Sequence, residues 1–304
     1  MSAASSFAPG SIGNVGPGFD VLGLALEAAG DRVTVELTDG EARVAEVTGF
    51  DSHLIPLEPE MNVAVIAARA WLREARVDAN PIVTLVKGLP LSGGLGGSAA
   101  SSVAGALAAA LAANATPTAE SLMVAALEGE TLVSGRHLDN IAPAVLGGLS
   151  LVRSVDPMDV ISLPYPGEWM VALVTPHVRV ETKAARGVLP DLWQREQWIR
   201  QMANTASMVH AFSAGDTALM RRSLVDMYAE PRRASLIPRF YEVKKAALEH
   251  GGFGCSISGS GPTIFALVMP DDAERCADAM VDAVGDVGAD RLVSAIARTG
   301  ARRI

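Results

Sequence analysis

Cysteine is scarce in this chain: only Cys255 and Cys276 occur among 304 residues. That excludes a small scaffold stapled by many disulfides. The five histidines do not cluster with those thiols, so no zinc-ligand spacing is present. Basic residues fall short of acidic ones, 25 against 34, for a formal charge of −9. The deficit is mild and spread out. It argues against broad nucleic-acid binding while leaving room for a local basic pocket. No uninterrupted apolar run could span a membrane, because the alanine-rich tracts are broken by Gly, Asn or Pro. The opening "MSAASSFAPGSIGN" has no basic region followed by an apolar core, so no signal peptide is expected. A cytoplasmic protein with neither nucleic acid nor membrane as partner is the expectation.

What the chain does have is bulk. Its length and 49% hydrophobic content suit two domains better than one. Alternation predicts a strand over 32–37, and "PIVTLVKG" a second over 82–86. "MNVAVIAARAWLREA" places Val63, Ile66, Ala67, Ala70 and Trp71 on one helical face. A helix is predicted from about Ser98, with Val103, Leu107 and Leu111 as its inward stripe, and another over 118–129. "HLDNIAPAVLGGLSLVRS" reads as a polar corner, a Gly-Gly turn and a strand. Further strands are predicted at 169–175 and 263–269 and in "RLVSAIART". Helices are predicted through most of 191–229, in "IPRFYEVKKAALEHGG" and in "AERCADAMVDAV". Strands and helices mix in both halves, giving an α+β or α/β class with a boundary near 150–170. The domains are taken as 1–160 and 161–304.

The stretch "KGLPLSGGLGGSAASS" admits two readings. It can be a tight strand-to-helix turn that needs small residues. It can also cradle a phosphate, with converging backbone N–H groups, the positive end of the following helix and serine hydroxyls. It is not a Walker A loop, because no lysine follows the glycines, and its spacing departs from GxGxxG. Other stretches are equally two-sided. Asn14 and Asp20 flank "VGPGF" as turn formers or polar ligands. Asn62 is a helix cap or a ligand contact. Cys255 reads as a small buried thiol rather than a nucleophile.

The loop resembles the Pro-x-x-x-Gly-Leu-Gly-Ser-Ser-Ala motif of the GHMP kinases. "APGSIGNVGPGFDVLGLAL", "HLDNIAPAVLGGL", "ETKAAR", "EPRRASLIPRF" and "GGFGCSISGSGPTIFAL" are similar, in order, to segments of the family's homoserine-phosphorylating branch. One departure is Gly97, where the family usually has serine; Ser98 remains. The resemblance implies a two-domain GHMP kinase fold. Its N-terminal domain would be similar to ribosomal protein S5 domain 2-like folds, and its C-terminal domain would be a ferredoxin-like α/β sandwich. It implies transfer of phosphate from ATP, with Mg²⁺, to the side-chain hydroxyl of L-homoserine on the way to threonine, by an enzyme that is commonly a homodimer.

Site residues follow from the same resemblance. Asn14, Asp20, Asn140, Arg186 and Arg233 would bind the amino acid, with Arg232 an alternative to Arg233. ATP would meet Asn62, Lys87, Pro90, Gly94, Leu95, Gly96, Gly97, Ser98, Ala99, Ala100 and Ser101, and also Gly259, Ser260 and Gly261. Magnesium would take Ser98 and one glutamate. Counting back from Ser134-Gly135 favours Glu130 over Glu128, and spacing of two on a helix lets only one reach the metal. Ser98, Glu130, Asn140, Thr182 and Arg186 form the expected catalytic set. Asp139 is held as a supporting residue and Lys183 as a phosphate-end lysine to check. A kinase of the same family acting on an isoprenoid or sugar, or a non-catalytic binding protein of the same fold, are the rival readings.

Overall fold

The computed structural model describes residues 2–304, apart from the side chain of Thr182. The first unit opens with β1 (Ala3–Gly13), β2 (Leu22–Thr38), β3 (Arg43–Gly49), α1 (Val63–Glu74) and β4 (Asn80–Lys87). It continues with α2 (Gly97–Ala112), α3 (Ala119–Val133), α4 (Ile141–Leu146), β5 (Leu149–Val155) and β6 (Met158–Leu163). The second unit holds β7 (Met170–Pro176), α5 (Thr182–Gly187), α6 (Arg195–Ala214), α7 (Thr217–Ser223) and α8 (Glu230–Arg233). After these come α9 (Phe240–Glu249), β8 (Gly254–Ile257), β9 (Ile264–Val268), α10 (Ala273–Val284) and β10 (Ala289–Ala295). The short β11 (Arg302–Arg303) returns to the first sheet.

The first sheet runs β11-β1-β2-β4-β3, with β5 pairing both β2 and β6; only β3 and β4 are parallel. The second sheet is antiparallel in the order β10-β7-β9-β8. With helices between β7 and β8 and between β9 and β10, that order is the ferredoxin-like sandwich. The sheets divide between Leu163 and Met170. Helices α6 and α7 bridge them, since Met208, Ala211, Phe212 and Met220 bury into the first core. Among the described residues no helix is long and apolar enough to cross a membrane.

The centre of the first unit is α2. It is buried nearly all round rather than along the single stripe its leucines suggest, so it belongs inside the layer. Alanine and glycine permit this. A Cβ on Gly105 would lie 2.4 Å from the carbonyl oxygen of Ala64 on α1, so this glycine is a close-packing point. The 32–37 strand extends to 17 residues as β2, because its first half pairs with β1 and β5. Within "HLDNIAPAVLGGL" the expected corner contains a short helix, α4, whose end is fixed by Gly147 at φ 77°.

Candidate active site

A cavity of about 450 Å³ opens between the two units. Its floor at one end is the segment from Pro90 to Ser98 that enters α2. Gly94 and Gly96 adopt φ 79° and 65°, and both approach other segments closely. A Cβ on Gly94 would lie 2.5 Å from the carbonyl oxygen of Ser258, and one on Gly96 would lie 2.2 Å from Ser11 Oγ. The loop is therefore tight for packing reasons and also aims the start of α2 at the cavity. Gly96 is the N-cap residue, and no side chain caps the helix, so its first N–H groups and positive dipole end face the opening. The second glycine loop clasps the first: Ser258 Oγ donates to Gly94 O at 2.6 Å, and Thr263 Oγ1 donates to Gly93 O at 2.5 Å.

The helical turn decides which loop residues reach the cavity. Gly97, Ser98 and Ser101 line it with Pro90, Gly94, Gly96, Gly259 and Ser260. Leu95, Ala99, Ala100 and Gly261, expected at the nucleotide, do not line it. Ala99, Ala100 and Leu95 turn into the core, and Gly261 is buried with its α-carbon facing Ile237. Lys87 lines the cavity, but its Nζ is held by Asp31, by Gly97 O at 3.1 Å and by Ser101 Oγ at 3.0 Å. Asp31 also accepts from Gly88 N and Ser101 Oγ. This buried pair anchors the loop from below. The β2–β4 register sets Arg32 opposite Val86 and so brings Asp31 beside Lys87; neither residue's neighbours in sequence announce it.

Asn62 caps α1. Its Oδ1 accepts from Ala64 N and Val65 N, and its Nδ2 donates to Pro56 O at 2.9 Å. The amide's main bonds are thus within the chain, although the residue borders the cavity beside Ile55, Met61 and Val63.

The two glutamates of α3 separate clearly. Glu128 points out and pairs with exposed Arg73. Glu130 is buried and lines the cavity beside the hydroxyls of Ser98 and Ser134. Burial raises its pKa above the usual carboxylate range, against the pull of Ser98, Ser134 and Lys87. Its Oε2 is buried without a partner. A buried carboxylate oxygen left unpaired beside a serine hydroxyl suits a hard cation that brings its own waters and phosphate oxygens.

The other end of the cavity is built from charged side chains. Arg186 on α5 holds Asp20 in a two-point pair, with Nη1–Oδ2 at 3.1 Å and Nη2–Oδ1 at 3.0 Å. Asp20 sits at φ 55°, and its backbone N donates to Asn14 Oδ1 at 3.0 Å. Asn14 Nδ2 donates to Gly259 O at 2.8 Å. Both ends of the Asn14 amide are therefore engaged in placing Asp20 and the second glycine loop. Arg233 is buried and lines the cavity, with Nε on Ala185 O at 3.0 Å and Nη1 on Gly259 O at 2.9 Å. Arg232 turns away to the carbonyls of Met227 and Tyr228. The second arginine of the pair that faces the cavity is thus Arg233.

Between the ends lie Asn140 and Asp139. Asn140 Oδ1 accepts from Ser11 Oγ at 3.0 Å. Asp139 accepts from Asn14 N at 3.1 Å; burial first, then the charges of Asp20 and Glu130, push its pKa up to about 7. His137 Nδ1 lies 3.5 Å from Asp20, and burial lowers its pKa despite that neighbour. His137 borders the cavity and was not among the expected residues, though it stands two positions before Asp139 in the same motif. Exposed Lys183 reaches the rim, while the side chain of Thr182 lies outside the described residues. Cys255 is buried away from the cavity, and burial raises its pKa far above reactivity.

Comparison with known proteins agrees along the whole chain. Residues 62–148 match the GHMP kinases N terminal domain, and 208–286 match GHMP kinases C terminal. A homoserine kinase from Chlorobium phaeobacteroides is 39% identical, covering 100% of both chains. One from Arabidopsis thaliana is 37% identical over 99% of this chain and 85% of its own. The crystal structure of homoserine kinase from Cytophaga hutchinsonii superposes with a TM-score of 0.95 at 39% identity, covering 100% of this chain and 98% of that one.

Proposed function

Since this chain belongs to the GHMP kinase family, in the homoserine kinase branch that phosphorylates homoserine with ATP, we propose how its own residues divide that task. The α2 end takes the triphosphate: the first N–H groups of the helix, Ser98 and the Gly259–Ser260 turn meet its oxygens, with Ser101 behind them in the Lys87–Asp31 anchor. Asn62 and the apolar residues around it border the base. Ser98 and Glu130 hold Mg²⁺, which screens phosphate charge when bound.

Asp20 receives the substrate ammonium, and Arg186 and Arg233 receive its carboxylate. A guanidinium fork matches a carboxylate in a way an ammonium cannot. Asn140, its Oδ1 engaged by Ser11, offers Nδ2 to the substrate hydroxyl. That hydroxyl oxygen forms the new bond to the γ-phosphorus as the bond to the β,γ-bridging oxygen breaks. Its proton leaves with the transferred phosphoryl group. Positioning and fixed charge supply the catalysis, with Asp139 supporting the Asn14 backbone rather than serving as base. The exposed apolar stripe of Leu192, Trp198, Ile199 and Met202 is the face we assign to pairing of two copies.

The unpartnered buried oxygen of Glu130 carries the metal assignment. Magnesium dependence of turnover by Glu130→Gln tests it. The expected result is a turnover lowered by about 10²–10³-fold with a higher Mg²⁺ requirement. An unchanged magnesium curve removes Glu130 from the metal.

A further inference from the structure

Phe19 has no part in the division above, yet both substrate arginines lie over its ring. Arg186 Cζ lies over its ring at 5.5 Å from the centroid, and Arg233 Cζ at 5.4 Å. These two cations stand close enough to disfavour one another. After burial, Arg186 is the main influence lowering the pKa of Arg233. Asp20 answers Arg186 with both its oxygens. Among the described residues no carboxylate is bonded to Arg233, whose Nε and Nη1 go to backbone carbonyls. Asp20, Asp226 and Asp139 favour the Arg233 charge from a distance, and the negative face of the aromatic ring, in direct contact with both cations, adds to that offset.

The ring itself is fixed. Tyr228 meets it edge to face, with centroids 5.0 Å apart at 80°. Tyr228 is in turn packed by Trp193 at 5.0 Å, and its hydroxyl donates to Pro190 O at 3.2 Å. Backbone geometry holds the other side: Pro17 O, two residues earlier, accepts from Gln201 Nε2 at 2.9 Å and Thr205 Oγ1 at 2.8 Å. A half-buried phenylalanine on a loop bordering the cavity is thus braced on its ring by Tyr228 and through its backbone by Gln201 and Thr205.

We propose that Phe19 is a positioning residue for the known reaction: its ring holds the two guanidinium groups together so that the N–H groups they have left over meet one α-amino-acid carboxylate. It acts through the arginines and does not touch the substrate. The proposal rests on the reading that Arg186 and Arg233 receive that carboxylate.

The test replaces Phe19 in the full chain by 4-fluoro- and 3,4,5-trifluorophenylalanine, which keep shape while draining the ring face of negative charge. Phe19→Leu is measured beside them. KM for homoserine should climb stepwise with fluorine number, by about 5–10-fold at three fluorines, and at least as far for leucine. KM for ATP should stay within about twofold and kcat within about threefold, because the phosphate end is untouched. A homoserine KM flat across the fluorine series, or an ATP KM rising equally, overturns the proposal and leaves Phe19 a packing residue. Arg186→Ala and Arg233→Ala separate this failure from that of the underlying reading. If neither raises the homoserine KM, the carboxylate assignment falls and Phe19 falls with it. If both raise it while the fluorine series is flat, Phe19 alone is overturned.

Discussion

The end of the cavity that we assign to the triphosphate presents mostly backbone: the uncapped start of α2, the Gly94 and Gly96 turns and the second glycine loop clasped onto them. The end that we assign to the amino acid presents side chains from distant segments, Asp20, Arg186 and Arg233, each braced by neighbours. A triphosphate has many equivalent oxygens and is met well by repeated N–H groups. A small zwitterion has one ammonium and one carboxylate at a fixed separation, and it needs opposite charges at matching places. Generic recognition can be written into a short stretch, whereas specific recognition has to be assembled by the fold.

The sharpest way to break this comparison is Glu130→Gln, the largest loss expected. It acts on the phosphate end, so kcat should fall by about 10²–10³-fold while homoserine KM changes little. A rise confined to homoserine KM would place Glu130 at the wrong end. Next, Arg233→Ala should raise homoserine KM by about 10–100-fold, the usual range for a charge-assisted hydrogen-bonded contact, with ATP KM unchanged.

Asp139 sits where the ends meet, and its folded pKa of about 7 stands above the ordinary 3.8. A raised folded pKa means the folded chain holds that proton more tightly. The linked stability is complete below about pH 4 and is lost as pH rises through 7. Asp139→Asn cannot ionise. It should therefore be more stable than the parent at pH 8, by a few kcal/mol with about 4 kcal/mol as ceiling, and show no gain below about pH 4. A gain independent of pH would contradict the burial account. The smallest effect is expected from Glu128→Ala. Its pair with Arg73 is solvent-exposed, so stability should change by less than about 1 kcal/mol and activity not at all.

The sequence made the phosphate end easier to read than the amino-acid end. "LSGGLGGSAASS" showed its small residues and the helix behind them, because both are local properties. The α2 stripe was misleading, since periodicity reports relative polarity and a helix of alanines has no polar face to show. Which of Leu95, Ala99 and Ala100 reach the cavity depended on helical phase and packing. Glu130 over Glu128 could be favoured from a motif; its burial and its unpaired oxygen could not. Asp31 with Lys87 was invisible, because 56 residues separate them and only the strand register joins them. Phe19 stands within its motif but carries no signal of its own, since a ring shared by two arginines exists only after the second unit folds over the first.

The separation of the two ends is tested most directly by calorimetric titration of Arg233→Ala protein, first with homoserine and then with a non-hydrolysable ATP analogue and Mg²⁺. Homoserine binding weakened by about 10–100-fold, with nucleotide binding within about twofold of the parent, is the predicted result. Homoserine binding at parental strength, or both ligands lost together, would contradict it.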